Sequence, residues 1–452
     1  MKAIKMKTVA DIVGGRLVLG DGSSEITGAV HDSRAAAAGK IFVAIKGERV
    51  DGHDYINSAI GNGCTAYFID NEGAVNSIED KSADVVLVDD AVSALQELAK
   101  WYMSQLDAKK VAVTGSTGKT STRDLVYYVL KEKFKTQKNE GNFNSTIGVP
   151  LTILDFDDDL EVAVLEMGMD HKDEIKTMCD IARPDIACIT NIGISHMENL
   201  GSQDGVFDAK MEVTSFFDEN SSLIVTECEK YLNRNKVKGD YQLVVTGFGD
   251  GSDFFIEDVI QKEDMSISFT VTEKATGEKF RFNVPLPGEH NAKNATLAIA
   301  AGRKLGMTFE EIQRGLAKVE LTGRRLSLIE RNGIRVIDDT YNASPDSMKA
   351  ALDVLSKMEG KRSIAVLGDM YELGPDEIKL HEEVGTVAKS KGHYTVTVGQ
   401  LAKHMHGDRH FDTKEEFIKE MSGTFEEGDV VLIKASRGMA MEELIESVLG
   451  EE

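Results

Sequence analysis

Short apolar runs of four or five residues recur along the chain, bounded by glycine or polar turns and separated by longer stretches with helical spacing of their apolar positions. Apolar runs without alternation suit strands buried on both faces. Strands that alternate with helices imply a mostly parallel, doubly wound sheet. The fold class this predicts is α/β, divided among three domains. In the first region the expected strands are 41–45, 65–69 and 85–88, followed by a helix over 91–106. In the second they are 111–113, 162–165 and 186–190, with one helix starting near Ser121 and a long alanine-rich helix over 291–305. In the third they are 334–337, 363–367, 394–398 and 430–433. The polar stretch 107–110 and Gly323 mark the joints, so the domains are expected at 1–106, 107–320 and 321–452.

With 41% hydrophobic and 28% charged residues, the 452-residue chain can bury real cores. Its charge changes the picture more: 52 Lys and Arg against 76 Asp and Glu leave a net charge of −24. A surface that acidic argues against non-specific nucleic-acid binding, while a few local cations and backbone N–H groups can still hold phosphate. No apolar run reaches bilayer-spanning length, and no apolar signal segment follows the mildly basic residues 1–7. Cys64, Cys179, Cys188 and Cys228 lie far apart with no CxxC pair, as expected of ordinary thiols in a reducing compartment. The expected location is the cytoplasm, with no nucleic-acid partner and no membrane insertion.

The sharpest chemical signal is Thr114-Gly115-Ser116-Thr117-Gly118-Lys119-Thr120-Ser121, set between a strand and a helix. That is the context of a phosphate-binding loop. Its glycines let backbone N–H groups curl inward, Lys119 neutralises phosphate, Thr120 offers a hydroxyl to Mg²⁺, and the helix N-terminus adds positive potential. The strict pattern GxxxxGK[ST] places glycine where this chain has Val113. Glu166 and His196 each follow a strand and can face a nucleotide, with Glu166 on a metal; each is equally explained as a capping Glu or a surface His. Lys210 reads locally as a solvated helix lysine. Asn291 and Asn294 open a helix and either cap it or read an adenine edge. Arg324 and Arg325 are solvated cations or a hinge-borne guanidinium for a γ-phosphate. Two acidic strand ends, 338–348 and 367–374, can be turn chemistry. In the first region, 31–34 and 46–53 combine hydroxyl and cationic residues that either hold a diphosphate or form charged loops.

In their order along the chain, these segments resemble the Mur ligase family of ATP-dependent, amide-forming enzymes of peptidoglycan assembly. The resemblance rests on 114–120, Gly141-Asn142-Phe143-Asn144, Glu166-Met167-Gly168, Thr190-Asn191-Ile192-Gly193 with His196, Lys210, His290-Asn291-Ala292-Lys293-Asn294 and Arg324. Three further segments, 51–54, 338–348 and 367–374, resemble the branch that adds D-alanyl-D-alanine to UDP-N-acetylmuramoyl-tripeptide. The resemblance implies an N-terminal UDP-sugar domain, a central ATPase domain and a C-terminal Rossmann-like domain. It implies ATP at 114–121, Asn291, Asn294, Arg324, Asp339 and Tyr341, with Lys119, Lys210, His196 and Arg324 in catalysis. It places two Mg²⁺ ions near Thr120, Glu166, His196 and a carbamylated Lys210. Substrate contacts are implied at Ser33, Arg34, Lys46, His53, Asn142, Asn144, Ser145, Thr146, Asn342 and Ser344, although Ser145 and Thr146 stand where family members often read Asn and an acidic residue. A monomer is expected, with 107–110 and 318–323 as moving joints. Competing expectations are a folylpolyglutamate-synthase-like ligase, a P-loop ATPase or kinase, and a silent nucleotide-sugar sensor.

Overall fold

The computed structural model describes residues 1–194 and 197–450. Three main sheets follow one another along the chain. The first has five strands. Gly28–Val30, Lys40–Val43, Ala66–Ile69 and Asp84–Leu87 run parallel, and Arg16–Leu19 closes one edge antiparallel. Every residue of Ala66–Ile69 is buried, as expected of a strand covered on both faces. The helix Ala91–Gln105 then begins where the Asp90 carboxylate accepts a hydrogen bond from the Ser93 backbone N–H.

The second sheet has nine strands. Lys109–Thr114, central to the site, is flanked by Val162–Glu166 and Ile186–Ile189, all parallel, and parallel Thr136–Lys138 forms the edge beyond Val162–Glu166. The parallel set continues through Ser222–Thr226 and Gln242–Gly247 to Phe254–Gln261. Antiparallel Ile267–Glu273 and Glu278–Val284 complete that edge. This antiparallel ribbon lies outside the strands expected from the apolar runs. Its last strand alternates instead, with Phe282 and Val284 inward between exposed polar residues, so it carries the period of a half-solvated strand.

The third sheet has six strands in the order Ser327–Arg331, Ile334–Asp339, Asp429–Lys434, Arg362–Gly368, Tyr394–Val398 and Arg409–Phe411. Only the first is antiparallel to its neighbour. The cores divide unevenly. One apolar cluster runs without a break from Met6 and Leu98 of the first region to Leu165 and Val225 of the second. The third region has two clusters of its own, one on each face of its sheet. Lys109 already belongs to the central strand and Ala108 is buried in the shared core. The expected joint at 107–110 is therefore clamped rather than free. The stretch 317–326, by contrast, holds no helix or strand.

Candidate active site

Thr114 ends the central strand, fully buried, and the chain then turns through the predicted phosphate loop. Gly115 has φ 146° and Gly118 has φ 78°; a Cβ on Gly115 would run into the Thr190 side chain, and one on Gly118 would press on the Asn294 amide. Glycine is needed at both points. Because Gly118 turns the chain in a left-handed conformation, the helix starts at Lys119, two residues before the expected Ser121. The neighbouring strand's loop braces this one. Asn191 Oδ1 accepts from the N–H groups of Ser116 (3.1 Å) and Thr117 (3.0 Å), and Ser116 Oγ accepts from the Gly193 N–H at 2.8 Å. Lys119 Nζ donates back to the carbonyls of Gly115 (2.9 Å) and Ser116 (3.3 Å). Burial holds its amine below the usual lysine range, against the pull of Glu166.

Glu166 ends the next strand and is 2% exposed. Asn139 pins its backbone, donating to the Glu166 carbonyl (3.0 Å) and accepting from its N–H (2.9 Å). Asn144 Nδ2 donates to Oε1 at 2.8 Å, while Oε2 is buried with no hydrogen-bond partner among the described residues. A buried carboxylate oxygen left unsatisfied is costly, and a cation is the partner that suits it. No cluster of three or more His, Cys, Asp or Glu among the described residues could hold a metal alone. That fits a Mg²⁺ site, which typically takes one or two carboxylates and completes itself with hydroxyl, water and substrate phosphate. Lys210 is 1% exposed, so it is not the solvated lysine its neighbours in sequence suggest. Burial, reinforced by the charge of Lys119, drives its amine well below the usual lysine range.

A cleft of about 820 Å³ opens over the loop, walled by the second and third regions. Of the predicted residues, Ser116 to Ser121, Asn144, Ser145, Glu166, Asn291, Asn294, Asp339, Tyr341, Asn342 and Ser344 line it. Asn291 does not cap its helix; Nδ2 donates to the Pro287 carbonyl at 2.7 Å, and its Oδ1 accepts from Asn294 at 3.3 Å. Neighbouring His290 is held neutral by burial, its pKa pushed down to about 4. From the third region, Arg325 rather than Arg324 reaches the loop. Arg325 Nη2 donates to Thr120 Oγ1 at 3.0 Å, with its guanidinium stacked 4.0 Å over the Tyr341 ring. Arg324 instead pairs with buried Asp338 at 2.8 Å. Asp339 lies 2.6 Å from buried Lys434; burial raises its pKa and Lys434 opposes the rise. Ser344 caps the helix Pro345–Ser356.

Family profiles match this chain in three consecutive blocks: the Mur ligase family catalytic domain over 25–103, the Mur ligase middle domain over 113–302, and the glutamate ligase domain of Mur ligases over 324–437. The chain is also 38% identical to the UDP-N-acetylmuramoyl-tripeptide–D-alanyl-D-alanine ligase of Bacillus subtilis (strain 168), over 98% of both chains. The chain belongs to the Mur ligase family. Solved structures agree in shape. MurF from Acinetobacter baumannii superposes with a TM-score of 0.91 at 29% identity over 100% of both chains. MurF from Thermotoga maritima, in complex with ADP, gives 0.83 at 29% identity over 93% of this chain and 97% of that one.

In this Mur ligase the remaining predicted residues lie outside the cleft lining. His196 falls outside the described residues. Asn142 is exposed on the loop that carries Asn144, and the Thr146 carbonyl of the same loop accepts from Gln96 at 2.9 Å. Phe143 of that loop meets His31 edge to face at 6.4 Å, which places the turn of Ser33 and Arg34 at the rim of the second domain. Ser33 is buried, while the exposed Arg34 is paired with Asp32 at 2.6 Å. His53 is buried between Asp51 (2.6 Å) and Asp70 (3.3 Å), and Lys46 is exposed beside Asp51. Asp369 accepts from the N–H groups of Leu401 and Ala402, so that acidic strand end is turn chemistry. Arg123, Asp124, Asn139 and Lys434 carry structural work at the site that no local pattern in the sequence singled out.

Proposed function

We infer that this Mur ligase joins D-alanyl-D-alanine to the terminal carboxylate of UDP-N-acetylmuramoyl-tripeptide, consuming ATP and yielding UDP-N-acetylmuramoyl-pentapeptide, ADP and phosphate. The observation that carries this is the meeting in one cleft of a phosphate loop, the open oxygen of Glu166 and a guanidinium from another domain. A carboxylate is a poor acyl donor, because its charge repels an amine and oxide is a poor leaving group. In the first step a carboxylate oxygen of the tripeptide attacks the γ-phosphorus of ATP and ADP leaves. In the second, the free amine of the dipeptide attacks the acyl carbon. The carbon–oxygen bond to phosphate breaks, phosphate departs with the former carboxylate oxygen, and the nitrogen loses a proton.

The protein's share is positioning and charge neutralisation. The loop backbone and Lys119 cradle the phosphates. Thr120 and Glu166 are the residues that would hold Mg²⁺, which when bound neutralises phosphate charge. Burial disfavours the charged form of Lys210, which favours the nucleophilic amine that takes up CO₂, and its carbamate would be a second buried anion for the metal. Arg325 brings its cation from the third domain. Asn294 and Asp339 face the nucleotide, Ser33, Arg34, Lys46 and His53 serve the UDP end, Asn142, Asn144, Ser145 and Thr146 the peptide, and Asn342 and Ser344 the acceptor side. The domain limits 1–106, 107–320 and 321–452 are supported by the three sheets, and cytoplasmic placement by cytoplasmic substrates; among the described residues no helix is long and apolar enough to cross a membrane. Phosphate release measured with each substrate omitted tests the reading. Release should require both the tripeptide and the dipeptide and should yield the pentapeptide by mass; release without the dipeptide would make the protein an ATPase instead.

A further inference from the structure

Beside the metal carboxylate lies a buried ionic cluster that no part of the mechanism uses. Arg123, on the first turns of the helix Lys119–Lys131, is 0% exposed, as is Asp124. Arg123 Nε and Nη2 donate to Asp124 Oδ1 at 3.0 and 2.7 Å, Nη2 donates to Thr322 Oγ1 at 3.0 Å, and Nη1 donates to the Gly141 carbonyl at 3.2 Å. Asp124 Oδ2 accepts from the Thr322 N–H at 2.7 Å. Lys138 Nζ stands 3.3 Å from Asp124 and 3.4 Å from Thr322 Oγ1. Thr322 thus receives donors on its hydroxyl and gives its N–H to a carboxylate, all from the second domain. It does so three residues before Arg325, which reaches back to Thr120.

The remaining side of the guanidinium faces Glu166. Nη1 is 3.5 Å from Oε2, within ion-pair range but without a hydrogen bond, and Oε2 stays unpartnered. An arginine left to itself beside a buried carboxylate closes into a two-pronged hydrogen-bonded pair. Here four donations to Asp124, Gly141 and Thr322 hold it short of that. We propose that Arg123 and Asp124 are positioning residues that couple the 317–326 joint to the metal carboxylate: with Thr322 docked, Arg123 is held off Glu166 and Oε2 stays open to a cation. With Thr322 undocked, Nη2 of Arg123 loses one of the contacts that fix the guanidinium, freeing it to turn Nη1 onto Glu166. The metal site is then complete only when the joint that carries Arg325 is seated. This rests on the assignment of Glu166 to Mg²⁺ under the proposed function.

The test uses the half-buried Thr322, because removing either buried charge risks the fold. Thr322→Val keeps the shape and the backbone N–H but loses the hydroxyl acceptor; Thr322→Ser restores it. Binding of Mn²⁺ to the full-length protein with ADP, read from the enhancement of water proton relaxation above that of Mn²⁺ and ADP without protein, needs no turnover. Thr322→Val is expected to weaken Mn²⁺ binding by about tenfold. The Mg²⁺ concentration for half-maximal activity should rise in parallel, with kcat at saturating Mg²⁺ near wild type and Thr322→Ser matching wild type in both. Equal Mn²⁺ affinity in Thr322→Val and wild type overturns the coupling alone, as does a loss that Thr322→Ser does not restore. A wild-type protein that binds no Mn²⁺ with ADP overturns the metal assignment itself and the coupling with it.

Discussion

Two adjacent arginines, Arg324 and Arg325, show how much residue-scale chemistry depends on direction. Both follow Gly323 and both are cations beside a hinge, yet one turns to Asp338 and the other to Thr120. On the proposed function, contact with the loop hydroxyl makes Arg325 the candidate for the phosphate-facing role. Arg325→Ala should lower kcat by roughly 10²–10³, the usual cost of removing one positioned donor to developing charge. Arg324→Ala removes a half-exposed ion pair and should cost within about tenfold. Steady-state turnover of the two variants decides between them, and the reverse order would return the role to Arg324. Lys210 makes a second case. If its neutral amine is carbamylated, enzyme exchanged into CO₂-free buffer should lose turnover and regain it with bicarbonate, and native mass spectrometry should show one CO₂ added. Activity indifferent to bicarbonate, with an unmodified mass, would leave Lys210 a buried neutral amine. The glycine loop was legible because backbone geometry dictates residue type at Gly115 and Gly118. The burial of Lys210, Arg123 and Asp124 was not, because a charged residue on a helix reads as solvated until its neighbours in space are known.

At the scale of elements, most buried parallel strands stood out as apolar runs that begin and end within two residues of expectation, whereas Ser222–Thr226 and Gln242–Gly247 were not among those expected. The ribbon formed by Phe254–Gln261, Ile267–Glu273 and Glu278–Val284 did not stand out either, because its apolar positions are interleaved with charged or hydroxyl residues and form no unbroken run. That ribbon has a role in joining domains. Met265, at the turn between its first two strands, is 5% exposed and packs in the third domain's core with Leu352, Leu355 and Met358. Met265→Leu keeps the apolar knob and should behave as wild type. Met265→Asp would bury an unpaired carboxylate there and should undock the ribbon, lowering turnover at least about tenfold. Calorimetry should show the third domain melting separately, with the transition of the first two unchanged. Two variants alike in both measurements would show that the knob does not matter.

Across the whole molecule, the first two domains share one hydrophobic core while the third keeps its own. Apart from the Met265 knob, the stretch 317–326 is where the third domain would swing on the proposed function, bringing Arg325, Tyr341 and Asp339 over nucleotide on the second. Three-domain order was legible from strand and glycine placement. The clamped 107–110 joint was not, since a polar stretch looks the same whether it opens a strand or frees a linker. The division of labour has one chemical consequence. On the proposed function, ATP and tripeptide would meet on the first two domains, and a closing third domain would shield the acyl phosphate from water until the dipeptide amine attacks. The most direct test follows one atom. With heavy oxygen in the terminal carboxylate of UDP-N-acetylmuramoyl-tripeptide, the phosphate released during amide formation should carry one label, because it leaves with the carboxylate oxygen. Unlabelled phosphate released alongside the pentapeptide would contradict an acyl phosphate and with it the ligase mechanism.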